Sequence, residues 1–403
     1  MLESQLMVPL SFCEARALVI DKVEHARRVP DIEFVELAEA DGRVLCAPLG
    51  ADRDYPPFNR SMRDGFAVRA ADVPGTLTVI GEVRAGARFE GQVQAGQAVE
   101  IMTGAPLPDG ADAVVMVEHV SVQGALVTIG NRVAPGQNVC PRGSEALAGS
   151  TVLRTRQVAG YPEVAVLATI GLLKAPVYRR PRVAILSTGN EILNVRESPL
   201  EHQIRDSNAS SLACQIRRAG GTPVMLPVVR DDLADIAEAI GTGLKADLLL
   251  ISGGVSAGKY DLVEQGLAVY DAEFYFDRVR VQPGQPLVFG CAQGTFFFGL
   301  PGNPASTMVC FEVFARAAVE LLGGQEHPRL PLTEAVLSED FHHSPGLTRF
   351  LPASLSPDGS QVTPVPWSGS GDVMALARAN AFLVAEPDKA LYAAGERIRV
   401  LMR

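Results

Sequence analysis

Three short segments carry the side chains best suited to chemistry, and each follows an apolar run that is typical of a buried strand. They are residues 187–191, 253–261 and 301–304, and the first of them contains Ser187, Thr188, Gly189 and Glu191. Ligands of open α/β sheets bind at the carboxyl ends of the strands. The turns at these strand ends are therefore the first candidates for a binding site.

The glycine-rich turn predicts contact with an anion. Gly253 and Gly254 have no Cβ, so backbone amides can approach a phosphate closely, and the following helix adds a favourable dipole. A plain strand-to-helix turn is the alternative. Residues 253–259 also fit the phosphate loop of nucleotide hydrolases, but that motif continues with Ser or Thr, where this chain has Tyr260. The missing hydroxyl argues against a nucleotide hydrolase.

The turn at residues 301–304 predicts a binding loop that opens a helix. Asn303 suits the N-cap, and Pro304 suits the first helical position because its φ is fixed. A generic helix start explains these two residues but not Pro301-Gly302 before them. We therefore favour a binding loop.

Carboxylates at neighbouring strand ends predict a cation site. Glu191 alone is most often a solvated acid. Together with Asp231 and Asp261 it could hold a hard divalent cation. Such a cation would face substrate phosphates and neutralise the charge that develops as a phosphoanhydride breaks.

Two polar residues stand out in the first half of the chain. Asp64 precedes Gly65 and lies among three arginines, and Thr103 lies at a turn beside a strand. A simple Asp-Gly turn explains Asp64 equally well. Spacing leaves both interpretations open.

The elements around these residues follow from capping and periodicity. Ser11 and Glu14 form a capping box that predicts a helix from about Phe12 to Ala26. Short alternating runs separated by turn residues predict a small β domain. Strands are predicted at 183–186, 224–229, 248–251 and 296–300, and helices at 207–218, from Asp231 or Asp232 to 245, at 261–270 and at 304–322. After residue 328 the helical pattern ends.

This order of elements predicts a multidomain fold of the α/β plus β class. The central α/β domain has a mostly parallel sheet with helices on both faces. A small β domain is inserted before it, and a C-terminal β domain follows.

Composition argues against several classes of protein. A net charge of −10 disfavours binding to nucleic acid through the overall field. There is no run of about 18 uncharged apolar residues, and the N-terminus carries Glu3 and Glu14 where a signal peptide has basic residues. Six scattered cysteines without a CxxC pair suit reduced thiols. We expect a soluble, cytoplasmic protein that binds neither nucleic acid nor membrane.

Seven motifs, in one order along nearly the whole chain, resemble the molybdopterin molybdenumtransferase family, which is related to the gephyrin C-terminal domain. They are S-M-R-D-G-F-A-V around Asp64, M-T-G-A-P-L-P-D-G-A-D-A-V-V from Met102, G-Q-N-V-C-P-R-G from Gly136, S-T-G-N-E, R-D-D, I-S-G-G-V-S-A-G-K-Y-D and G-L-P-G-N-P. Each motif is weak alone, but their common order makes chance agreement very improbable.

The resemblance implies a transferase that uses molybdate to cleave adenylylated molybdopterin, with release of AMP and metal-loaded cofactor, and with a divalent cation such as Mg²⁺. It implies a homodimer of four-domain subunits, with domains at 1–46 plus 146–177, 47–145, 178–327 and 328–403. The active cleft is expected between the α/β domain of one subunit and the β domain of the other. A molybdopterin adenylyltransferase is a candidate protein partner.

The family's site residues fall on matching positions of this chain. The polar and acidic residues are Asp64, Thr103, Glu191, Asp231 and Asp261. The phosphate-binding turn contains Gly253, Gly254 and Ser256, the neighbouring loop contains Pro301, Asn303 and Pro304, and Arg142 matches an anion-binding arginine.

The chain departs from the family at residues 278–286, where lysines are common at the positions of Arg278, Gln282 and Gln285. Only Arg278 keeps a positive charge. The oxyanion site would then rely more on Arg278, Arg280 or Lys259.

A scaffold or binding protein is the alternative function, because the gephyrin branch also organises membrane receptors. The chain shows no long linker and no adenylyltransferase domain of a fused relative. Its complete acidic set favours catalysis.

Overall fold

The computed structural model describes residues 8–254 and 262–403, and the chain divides into two compact units. The first comprises Met1–Phe34, Gly42–Cys46 and Pro176–Arg403, and the second Val35–Asp41 and Ala47–Ala175. This division is coarser than the four domains predicted above, which stay a prediction.

The N-terminal helix spans Phe12–Ala26, as predicted. The Ser11 hydroxyl accepts from the Glu14 amide, while the Glu14 carboxylate accepts from the Ser11 amide, so both halves of the capping box are present. The apolar face of the helix, which includes Val19 and Val23, is fully buried.

A six-stranded sheet forms the centre of the first unit. In spatial order its strands are Thr222–Met225, Arg182–Ser187, Leu248–Ser252, Thr295–Leu300, Val288–Ala292 and Glu273–Phe276. The first four are mutually parallel, and each of the last two is antiparallel to the strand before it. The predicted, mostly parallel α/β sheet is confirmed.

Helices cover both faces of this sheet because its central strands are apolar on both sides. Leu248 and Leu250 pack into one buried cluster, and Leu249 and Ile251 pack into another. The first face is covered by the helices Phe12–Ala26, Ser207–Arg218 and residues 304–322, and the second by Leu233–Gly243 and Leu262–Ala268. In the described ranges, no helix is long and apolar enough to cross a membrane.

Three predicted elements differ in detail from the structure. The strand predicted at 224–229 ends at Met225, because the next two amides that donate to the neighbouring strand, Leu226 and Val229, are three residues apart while their acceptors, Ile185 and Ser187, are two apart, so regular pairing stops. The helix predicted from Asp231 or Asp232 to 245 begins at Leu233, because Asp232 Oδ1 accepts from the first turn, and it ends at Gly243. The helix at 304–322 contains a π-helical turn, Phe311–Ala315, between Pro304–Cys310 and Arg316–Leu322.

The C-terminal part of the first unit is a closed ring of five strands. They are Thr348–Leu355, Gln361–Pro364, Leu332–Leu337, Arg397–Met402 and Ala381–Ala385, and a sixth short strand, Val281–Gln282, adds to the first of them in parallel. A short helix, Val373–Arg378, corrects the expectation that helices end before residue 328, and Asp372 caps it. Phe350 of this ring packs against Phe12, with ring centroids 5.2 Å apart.

The second unit contains another six-stranded sheet, as expected for the inserted β domain. Its strands, in spatial order, are Ala113–Met116, Gly65–Val68, Gln97–Ile101, Gly75–Val83, Leu126–Ile129 and Val120–Gln123. A helix at Tyr161–Thr169 lies in the same unit. The shorter strands of the chain are Ile32–Glu36, Leu49–Gly50, Arg60–Ser61, Val139–Cys140, Thr151–Leu153, Lys174–Tyr178, Ile192–Leu193, Ile204–Arg205, Phe341–His342 and Leu391–Tyr392.

Candidate active site

Polar residues end two neighbouring strands of the central sheet in a common register. Ser187 pairs with Ser252, and Ser252 pairs with Leu300, after which Pro301 begins the next turn. Because these strands are parallel, all three turns leave the sheet at the same edge. The structure thus brings the three predicted turns to one edge of the sheet in the first unit.

The glycine-rich turn packs so closely on its neighbour that a side chain has no room. Gly253 has φ +94°, and a Cβ there would lie 2.6 Å from the Thr188 carbonyl oxygen. Gly254 has φ +67°, and its Cβ would approach the Val263 side chain to 2.7 Å. Both positions therefore require glycine for packing as well as for their positive φ, while the predicted contact with an anion stays a prediction.

Asn208 joins two of the turns. Its Nδ2 donates to Ser252 Oγ at 2.8 Å and to the Gly302 carbonyl at 2.7 Å. Asn208 lies in the first turn of the helix Ser207–Arg218, which Asp206 caps by accepting from the Ala209 amide. One side chain thus fixes the separation of two strand ends.

These turns line a cavity of about 960 Å³. Ten of the residues selected from the sequence line it, from all three turns and the segment after Val229: Ser187, Thr188, Gly189, Glu191, Asp231, Gly253, Gly254, Pro301, Asn303 and Pro304. Ser256 and Asp261 lie outside the described residues. The cavity has the size of a small-molecule site.

Three buried oxygens at this cavity have no hydrogen-bond partner among the described residues: Ser187 Oγ, Thr188 Oγ1 and Asn208 Oδ1. A buried polar group without a partner costs about 1–3 kcal/mol, so native structures pair nearly all of them. Three such atoms at one cavity indicate a site made for a ligand or cation.

Two carboxylates line the same cavity. The Glu191 carboxylate lies against the Gly189 backbone, where an added Cβ would be 2.9 Å from either oxygen. The amide of Asp231 donates to Asn190 Oδ1, and its neighbour Asp232 caps the following helix, so the Asp231 side chain is not used as a cap. Among the described residues, no group of three or more His, Cys, Asp or Glu side chains is arranged to hold a metal ion.

The 301–304 loop is built differently from a simple helix cap. Asn303 occupies the N-cap position, but its side chain makes no capping bond and instead donates to Ser370 Oγ at 2.9 Å. The Ser370 carbonyl accepts from the Ala305 amide, which is one of the unpaired donors of the helix start. The segment before the C-terminal helix therefore caps this loop in place of the Asn303 side chain.

Arg278 and Gln282, proposed for an oxyanion site, do not line this cavity, although Pro286 of the same loop does. Gln282 lies in the strand Val281–Gln282, in parallel register with Arg349. Arg349 Nε is buried and has no partner among the residues that the structure describes. Sequence reasoning missed Arg349, because only the strand pairing brings it beside Gln282.

Asp64 and Thr103 meet in the second unit. The Asp64 carboxylate accepts from the Thr103 amide at 2.6 Å and from its hydroxyl at 2.7 Å. These two bonds stabilise the charged carboxylate and lower the pKa of Asp64. The structure thus joins Asp64 to Thr103, while their role in a site stays a prediction, and Gly65 is required because a Cβ would overlap the Val115 carbonyl.

Arg142 lies apart from that pair within the second unit. Its Nε donates to Asp54 Oδ2 at 2.7 Å, and its amide donates to Asn59 Oδ1. It lines a cleft of about 570 Å³ together with Arg88, and this cleft contains neither Asp64 nor Thr103.

Family models match three consecutive parts of the chain. Residues 10–171 match the MoeA N-terminal region (domain I and II). Residues 184–321 match a probable molybdopterin binding domain, and residues 334–402 match the MoeA C-terminal region (domain IV). The cavity lies mainly in the middle match, with Gly371 and Val373 contributed by the last.

Relatives named molybdopterin molybdenumtransferase match nearly the entire chain. A molybdopterin molybdenumtransferase of Bacillus subtilis (strain 168) is 36% identical over 418 residues, which cover 100% of this chain and 95% of the relative. One of Staphylococcus epidermidis is 33% identical over 91% of this chain and 90% of the relative. The crystal structure of the molybdopterin biosynthesis moeA protein from Pyrococcus horikoshii OT3 superposes with a TM-score of 0.80 at 29% identity, covering 98% of this chain and 100% of that one.

Proposed function

Since the chain belongs to the molybdopterin molybdenumtransferase family, we propose that it transfers molybdenum from molybdate to adenylylated molybdopterin, with release of AMP. The observation that carries this proposal is the cavity at the strand ends, which is lined by the Glu191 and Asp231 carboxylates and by two hydroxyls, of Ser187 and Thr188, that have no hydrogen-bond partner among the described residues. The Gly253 amide donates to the Leu300 carbonyl, so we assign the close backbone contact with a phosphate to Gly254.

The residues at this cavity fit a divalent cation such as Mg²⁺. Carboxylate and hydroxyl oxygens are the ligands that hard cations prefer, and two of the hydroxyl oxygens have no hydrogen-bond partner in the described part of the chain. Glu191 and Asp231, with Asp261 of the matching motif, would hold the cation. A bound Mg²⁺ would supply positive charge to neutralise the charge that develops on the phosphoanhydride. Ser256, which lies outside the described residues, is assigned to the phosphate-binding turn by the motif match alone.

The molybdate site is proposed at the strand Val281–Gln282. Gln282 offers amide donors but no charge, while Arg349, opposite it in register, offers a partly buried guanidinium group whose Nε has no partner in residues 8–254 and 262–403. Arg278 precedes the strand. Arg349 therefore supplies charge that the glutamines at 282 and 285 do not.

A substitution tests this assignment. Gln282→Lys should lower the molybdate concentration for half-maximal rate by about five-fold, because a charge-assisted bond exceeds a neutral one by about 1 kcal/mol. Gln361→Lys, at an exposed strand position, controls for general attraction of anions to a less acidic protein. Equal shifts in the two variants would remove the loop from the molybdate site.

The active unit is proposed to be a homodimer, in which Asp64 and Thr103 of one subunit complete the cleft of the other. The support is the motif match, together with the charged carboxylate that Thr103 stabilises. Mixing Asp64→Ala subunits with Asp231→Ala subunits should restore about a quarter of the wild-type rate, since half of the dimers are mixed and each then has one intact cleft. Inactive mixtures that contain proven heterodimers would refute a shared site.

The same proposal includes the four domains set out above, a cytoplasmic location, and a molybdopterin adenylyltransferase as the partner that supplies the substrate. The decisive experiment measures AMP release from adenylylated molybdopterin with and without molybdate. Glu191→Gln should slow it by about a hundred-fold or more, because cation contacts contribute several kcal/mol to such transition states. Glu238→Gln, on the exposed side of a helix, is the matched control. Absence of molybdate-dependent AMP release from the wild type would favour the scaffold function instead.

A further inference from the structure

The cavity carries one basic side chain whose role neither the motifs nor the comparisons assign. Among the described residues that line it, only Arg205 is basic, whereas Glu191, Asp206 and Asp231 are acidic. Asp206 is committed to its helix cap. A substrate with a phosphoanhydride is itself an anion and needs positive partners beside two free carboxylates.

The backbone of Arg205 is held on both sides by the segment that carries Glu191. The short strand Ile204–Arg205 pairs in parallel with Ile192–Leu193. The Ile204 amide donates to the Glu191 carbonyl at 2.9 Å, and the Asp206 amide donates to the Leu193 carbonyl at 2.8 Å. Arg205 therefore has a defined position relative to the proposed cation ligand.

The Arg205 side chain is held by a hydrogen bond at Nε, and its two terminal nitrogens are available for a ligand. Its Nε donates to the Glu197 carbonyl at 2.9 Å. The two terminal nitrogens have no hydrogen bond or ion pair with the residues that the structure describes. An arginine anchored through Nε, with its remaining four N–H groups unused, is preorganised for a phosphate, since its fork matches two phosphate oxygens.

We propose that Arg205 is a substrate-binding residue that holds phosphate oxygens of adenylylated molybdopterin at this cavity. The inference rests on the proposed function for the identity of the anion. Arg205 acts on binding, because its charge attracts the substrate before as well as during the reaction. Its loss therefore raises KM more than it lowers kcat.

Two measurements on the full-length protein test the proposal. Calorimetry gives the affinity for adenylylated molybdopterin, and AMP release gives KM and kcat. Arg205→Gln should weaken binding and raise KM by about ten-fold to a hundred-fold, as expected for hydrogen bonds between charged groups. Arg205→Lys, which keeps the charge but not the fork, should lie between Arg205→Gln and wild type. The difference between Arg205→Gln and wild type should shrink at high salt.

Arg196→Gln is the matched control, because Arg196 lies in the same connection between the strand Arg182–Ser187 and the helix Ser207–Arg218 but does not line the cavity. It should leave the affinity and KM unchanged. Equal effects of Arg205→Gln and Arg196→Gln, or no effect of either, would overturn the role of Arg205. If the wild type binds the substrate but releases no AMP, and Arg205→Gln binds it more weakly, the binding role of Arg205 is supported and the proposed reaction is refuted. A wild type that does not bind adenylylated molybdopterin would refute both.

Discussion

Replacing Asn208 perturbs the cavity at the point where two strand ends are joined. Its Nδ2 donates to Ser252 Oγ and to the Gly302 carbonyl. Asn208→Asp keeps the shape of the side chain but replaces the donor with a carboxylate oxygen. The Ser252 hydroxyl can rotate and donate to that oxygen, whereas the Gly302 carbonyl can only accept and now faces a negative charge.

The expected size of the effect follows from the single bond that cannot be rebuilt. A neutral hydrogen bond contributes about 0.5–1.5 kcal/mol net, and repulsion between the carboxylate and the carbonyl places the loss in the upper half of that range. If the two turns open locally, this loss corresponds to roughly five- to ten-fold faster amide exchange in both of them.

Hydrogen exchange followed by mass spectrometry, on peptides that contain residues 248–254 and 300–306, measures this loss. Asn194→Asp is the matched control, because it adds the same charge at an exposed turn. The Asn194 Oδ1 only accepts a hydrogen bond, from the Arg196 amide, and Asp can still accept it. Exchange in the two peptides should rise for Asn208→Asp alone. Wild-type exchange in Asn208→Asp would show that the turns are held without this side chain.

Three further predictions concern single contacts. Thr103 holds the pKa of Asp64 below its ordinary value of 3.8, so this contribution to stability is present above that value and lost as pH falls through the lowered pKa. Below about pH 4, stability should therefore fall less steeply for Asp64→Asn than for wild type, and parallel acid titrations would contradict this. Gly284 has φ +112°, and an added Cβ would overlap the Cys310 sulfur, so Gly284→Ala should lower the free energy of unfolding by about 2–4 kcal/mol. In urea titrations, the double variant of Gly284→Ala and Cys310→Ala should lose less free energy of unfolding than the two single variants lose together. Additive losses would rule out the overlap. In the same titrations, Asp232→Ala should lower the free energy of unfolding by about 1 kcal/mol because the helix loses its cap, and Asp232→Asn should lower it much less. Equal losses in the two variants would mean that the cap contributes nothing.

Local features of the sequence determined most of the elements. The capping box at Ser11 predicted where the first helix begins, because both partners lie within one turn. The glycines after Leu248–Ser252 predicted a turn there, and the structure adds that neighbouring groups leave no room for a Cβ at Gly253 or Gly254. Alternation of apolar strands and helices predicted a parallel sheet, and parallel strands bring their turns to one edge. The turns at that edge line the cavity.

Contacts between distant parts of the chain were decided by the tertiary structure alone. Asn208 is 94 residues from Gly302, and Asn303 is 67 residues from Ser370, so no local pattern predicts either bond. Arg349 came beside Gln282 only through strand pairing in the C-terminal ring. Each of these side chains fits many local sequences equally well, and its role depends on which partner the packed fold brings within about 3 Å.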